Sequence, residues 1–154
     1  MMRQLGLLLG IAILLSACVV GAPGHMYPVA GPLAAQTPVP IYKVSLTIIG
    51  PISGTLSATV QNGEACQGSL ERIRPDAGAS SNMRADWDRV YGQGFFDAQL
   101  LGNARARATL TGATGQCLSI ELFNPRLDHG GAVGDIVGIA RDDSGNVYKV
   151  TFAR

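Results

Sequence analysis

Residues 55–70 read Thr-Leu-Ser-Ala-Thr-Val-Gln-Asn-Gly-Glu-Ala-Cys-Gln-Gly-Ser-Leu. Leu56, Ala58 and Val60 fall on one side of a period-two pattern, with Thr55, Ser57 and Thr59 on the other. That alternation is the pattern of a half-buried strand. Asn62-Gly63 then separates it from a second strand pattern, Glu64 to Arg72. An Asn-Gly pair between two such runs is a strong hairpin signal and favours a type I′ turn.

The same period recurs on both sides of this hairpin. Lys43 to Ile49 places Val44, Leu46 and Ile48 on one face, and Gly50-Pro51 turns the chain. Gly94 to Leu101 puts Phe96, Ala98 and Leu100 on one face, and Gly102-Asn103 follows as a turn. Ala104 to Thr111 alternates with Arg105 and Arg107 outward, and Gln116 to Phe123 alternates again. Gly134 to Arg141 and Asn146 to Ala153 form a last hairpin around Asp142-Asp143-Ser144-Gly145. One segment breaks the pattern. Met83, Trp87, Val90 and Tyr91 make a helical stripe, with Ser81 or Asn82 as cap and Gly92 as stop. The expectation is all-β: a small antiparallel barrel or sandwich of about eight strands, with one short helix (about 83–91) after the third strand. Outward positions carry Arg, Thr, Ser and Glu without aromatic girdles, which is not the pattern of a lipid-spanning barrel.

Composition agrees with one globular domain. The chain has 154 residues, of which 47% are hydrophobic and 15% charged, too apolar and too weakly charged for a disordered chain. Its 20 Gly and 8 Pro favour turns over long helices. A net charge of +1 supplies no basic face for a nucleic-acid backbone, so no nucleic-acid partner is expected.

The N-terminus reads as an address. Arg3 precedes an unbroken apolar run, Leu5 to Leu15. At 1.5 Å per residue that run spans roughly 16 Å, about half a bilayer core and the right size for a secretion signal. Leu15-Ser16-Ala17-Cys18 follows, and it resembles the lipobox of bacterial lipoprotein precursors. The resemblance covers residues 1–18 alone. It implies a diacylglyceryl thioether on Cys18, cleavage after Ala17 and acylation of the new amino group. It also implies a membrane partner through that lipid and, with Val19 rather than Asp next to the Cys, an outer-membrane address facing the periplasm. No characterised family is identified for residues 19–154. The expected organisation is therefore a signal peptide at 1–17, a lipidated Pro/Gly/Ala-rich tether at 18–40 and a single β-domain at 41–154. Loss of Arg3 with the signal leaves the mature chain close to neutral.

Cys66 and Cys117 remain, an even pair that an oxidising compartment would join. Strand phase argues against pairing: Cys66 belongs with the inward face, whereas Cys117 alternates with inward Leu118, Ile120 and Leu122. A bulge near either strand start would reverse the phase. Both readings stand at this point, a disulfide or two separate thiols.

Few residues suggest chemistry. His25 lies in the tether and His129 in a polar loop beside Asp128. His129-Gly130-Gly131 resembles the oxyanion loop of some esterases, but no G-x-S-x-G elbow accompanies it. The Asp142–Asn146 run lacks the later Glu of a calcium loop and reads as a hairpin turn. Arg105 and Arg107 read as a solvated pair facing cross-strand carboxylates. No catalytic residue, metal or cofactor is expected. Trp87, Tyr91, Phe95 and Phe96 form the densest aromatic cluster, either packing the helix on the sheet or forming an exposed interaction patch. The leading expectation is a non-enzymatic, lipid-anchored envelope protein acting as a protein-interaction or structural module, with an envelope protein as partner. Two alternatives stand beside it: a small apolar-ligand carrier similar to lipocalin-type barrels, and a β-barrel protease inhibitor using a loop or the tether. An apolar cavity would mark the carrier.

Overall fold

The computed structural model describes residues 19–49, 53–75, 81–125 and 132–153. Its strands are β1 (Val19–Ala30), β2 (Tyr42–Ile49), β3 (Ser53–Thr59), β4 (Ala65–Ser69), β5 (Glu71–Ile73), β6 (Arg105–Gly112), β7 (Gly115–Phe123), β8 (Val137–Arg141) and β9 (Val147–Phe152). They pair in the order β4-β3-β2-β1-β9-β8-β7-β6-β5, and β4 also meets β6. Gln67 opposes Thr111 and Glu71 opposes Arg107, so β4 and β5 share one register and act as one strand interrupted at Leu70. The sheet thereby closes into an eight-stranded antiparallel barrel in which chain neighbours are also neighbours in space. Among the described residues, closure leaves no long unpaired edge.

Period-two burial builds the core as expected. Leu46, Leu56, Leu110, Leu118, Ile120 and Val150 all point inward and are almost fully buried. The Asn62-Gly63 hairpin forms, with a different turn from the one expected. Gly63 N–H donates to Val60 C=O, Gly63 has φ +79°, and Asn62 does not enter the left-handed region. The loop is thus three residues long with glycine in the bulge position, instead of the two-residue type I′ form. Asn62 stays out of that region and its side-chain oxygen accepts from Glu64 N–H.

Two expectations are corrected. Residues 19–30, assigned above to a tether, form β1 and close the barrel between β2 and β9. The domain therefore includes residues 19–30 and does not begin at residue 41. The inward positions of β1 include Ala22, Gly24 and Met26, so its alternation is carried mostly by small residues. A Cβ on Gly24 would stand 2.4 Å from Thr151 C=O, so this close approach requires glycine. The prolines fit because Pro23 lies where the β9 pairing ends, and Pro28 lies at a register shift against β9. Beyond β1, Leu33 is buried in a 3-10 turn (Pro32–Ala35), and its N–H donates to Asn146 Oδ1 at 2.8 Å.

The second correction concerns residues 94–101, expected as a strand. Phe96–Leu100 is a π-helical turn. Phe96 and Leu100, both fully buried, satisfy a helical i, i+4 spacing as well as period two, and Asp88 decides between them by accepting from Phe96 N–H at 2.8 Å. One expected strand is lost here and one gained at β1, which leaves eight in the barrel. The helix α1 (Arg84–Tyr91) follows the fourth barrel strand, not the third, and packs outside the barrel. Ser81 Oγ accepts from Met83 N–H at its start.

Candidate functional site

Strand register places several element ends together. Val19 opposes Ile49, Ile49 opposes Ser53, Ile73 opposes Arg105 and Phe123 opposes Val137. At this end the interior opens into a cavity of about 390 Å³, within the usual range for small-molecule sites. Its walls are Leu46, Ile48, Leu70, Leu122, Val133 and Ile136. Ser53, Glu71, Arg72, Arg105 and Asn124 also line it, and they bring the polar groups. Large side chains fill the middle of the barrel, but here Ala106 occupies an inward position and leaves space. Ile48, Leu70, Val133 and Ile136 are accordingly only partly buried. The chemistry available is apolar contact within a polar rim.

The outer wall of the barrel is covered by α1 and the π-helical turn. Met83, Trp87, Phe96 and Leu100 pack on Phe123 and Ile139, the outward residues of β7 and β8. The aromatic patch is corrected in consequence: Trp87 and Phe96 are fully buried and unavailable to a partner. Tyr91 and Phe95 are half-buried and stack at 4.8 Å, and Tyr91 OH donates to Gly138 C=O at 3.1 Å. Burial holds the Tyr91 hydroxyl well above its ordinary pKa, so it stays protonated.

Glu121 and Arg105 lie under this cover, a placement the alternation pattern missed. Glu121 is buried and accepts from Trp87 Nε1 at 2.8 Å and from Ser81 Oγ at 2.7 Å. Arg105, expected to be solvated, is 3% exposed and lies 4.7 Å over the Phe96 ring. Its Nε and one terminal nitrogen make no hydrogen bond. Burial lowers its pKa and the Glu121 charge works in the opposite direction. Arg107 behaves as expected and pairs with Glu71 across strands at 2.9 Å. The π-helical turn covers Arg105 and leaves Arg107 exposed.

At the opposite end Cys66 and Cys117 form a disulfide. Leu110 opposes Leu118 but Thr111 opposes Gln116, so Cys117 is the extra residue of a bulge, which re-aims its side chain toward Cys66. Glu64 lies beside them, with one carboxylate oxygen within 4.8 Å of both sulfurs, but sulfurs bonded to each other offer no thiolate to a metal. Glu64 instead accepts from Thr114 N–H and Oγ1, which holds its carboxyl below the ordinary value. Asp142 accepts from Asn146 N–H, Asn146 Nδ2 and Tyr148 OH, which are the bonds of a hairpin turn. His25 is exposed on β1, while Cys18, Asp128 and His129 lie outside the described residues.

Comparison of the chain with protein-family models, with curated proteins and with solved structures returned no match.

Proposed function

We propose that this is a lipid-anchored bacterial envelope protein whose barrel binds an apolar chain in its open mouth, a non-enzymatic carrier or holder. The cavity walled by Ile48, Leu70, Leu122 and Ile136 is the observation that carries the reading. Two of the competing routes find less support. An interaction module through residues 87–96 needs an exposed aromatic patch, and Trp87 and Phe96 are buried. An inhibitor acting through a free N-terminal tether needs residues that β1 instead uses for the barrel. The anchor rests on the lipobox resemblance at Leu15–Cys18, and the outer-membrane address on Val19.

The test is binding of a fluorescent fatty acid, cis-parinaric acid, to the Cys18→Ala chain. Saturable binding is expected, with loss of binding in Ile48→Trp and Ile136→Trp, whose larger rings fill the mouth. Circular dichroism and thermal unfolding check that both variants stay folded. Absence of saturable binding to the folded Cys18→Ala chain overturns the reading.

A further inference from the structure

The chain attached to the proposed lipid enters the barrel at the cavity. Val19 already opposes Ile49, and Val20 opposes Ile48, whose side chain walls the cavity. Cys18 is one peptide bond from Val19, so their Cα atoms are about 3.8 Å apart. No spacer separates the anchor from the fold. Eight barrel strands present two ends, and β1 brings the anchor to the end with apolar walls. The other end carries Glu64, Asp142 and Asp143 around a polar hollow.

We infer that the mouth faces the bilayer and that its occupant is an acyl chain carried by Cys18 itself. This rests on the ligand-binding reading and on the lipid anchor proposed above. A chain tethered at the rim has an effective concentration on the order of millimolar, which favours it over free ligands of the same chemistry. Each methylene taken from water into the apolar cavity contributes about 0.8 kcal/mol. The short link also fixes direction. A barrel attached through β1 without a spacer holds its rim, with Ser53, Arg72 and Asn124, at the membrane surface.

The test uses the full chain produced in bacteria fed a diazirine-bearing palmitate. Mass spectrometry of the N-terminal peptide first identifies acylated Cys18. After irradiation and digestion, the Cys18 peptide should be cross-linked to peptides containing Ile48, Leu70, Leu122 or Ile136. Those links should be lost in Ile48→Trp, and the acylated chain should exclude cis-parinaric acid that the Cys18→Ala chain binds. Links from acylated Cys18 only to outer-face peptides, no links, or mouth peptides carrying only phospholipid adducts would overturn the inference. Its failure is separable from that of the ligand-binding reading. If the acylated and Cys18→Ala chains bind the fatty acid equally, the mouth is a site whose occupant is not the anchor.

Discussion

Trp87 Nε1 donates a 2.8 Å hydrogen bond to the carboxylate of Glu121, joining the covering helix to the outer wall of the barrel. Both residues are buried, and the same carboxylate accepts from Ser81 Oγ. Trp87→Phe keeps most of the apolar contact and removes one donor from a buried carboxylate. A loss of about 1–3 kcal/mol is expected in urea unfolding followed by circular dichroism. An unchanged midpoint would show that the bond contributes nothing to holding the helix.

The barrel closes where β4 meets β6, and Gly68 makes that approach. A Cβ there would stand 2.2 Å from Thr109 C=O and 3.0 Å from Leu110 Cδ2. Gly68→Ala should lose about 1–3 kcal/mol, because backbone must shift at the seam. Gly21 has nothing within 4 Å of its Cβ position, so Gly21→Ala is the matched control and should change stability by less than about 1 kcal/mol. Equal effects would remove the seam from the explanation. Urea midpoints of the two variants decide it.

The Cys66–Cys117 bridge closes a loop with a sequence separation of 51. Loop-closure entropy for that length is worth about 4 kcal/mol in the unfolded chain, and typical measured values are about 2–4 kcal/mol. Cys66→Ala/Cys117→Ala should fall by about that amount in chemical denaturation, and adding reductant should not destabilise it further. The wild type should lose stability when reduced. A wild type indifferent to reductant would argue that the two sulfurs are not joined.

Glu64 provides a pH test. Its hydrogen bonds to Thr114 lower its folded pKa, so its contribution to stability is fully present above its unfolded pKa of about 4.3. That contribution is lost as pH falls through the folded value. The stability difference between wild type and Glu64→Gln should be constant from neutral pH down to the ordinary carboxylate range and shrink below it. Unfolding midpoints measured across that range check the sign, and a difference that grows on acidification would contradict the assignment.

Much of the barrel was legible in the residues because strand burial repeats every two positions. Val44-Leu46-Ile48, Leu56-Ala58 and Leu118-Ile120-Leu122 present their inward faces without reference to anything distant. The Asn62-Gly63 loop likewise announces a hairpin, although Gly63 alone takes the positive φ. β1 stayed hidden because its inward positions hold Ala22 and Gly24, and its prolines look like linker residues until the ladder ends and the β9 register shift are known. Phe96 and Leu100 fit strand and helix equally, and the Asp88 contact that settles them is tertiary.

The sequence by itself determined the class of fold, the position of most turns and the covering helix, since these follow from spacing along the chain. Only the tertiary structure decided the properties that depend on which strands become neighbours. The bulge that aims Cys117 at Cys66 exists only against β6. Arg105 is buried and Arg107 exposed because the π-helical turn covers one and not the other. The cavity lies beside Val19 because β1 runs between β2 and β9, a register set by closure of the sheet and by no local signal.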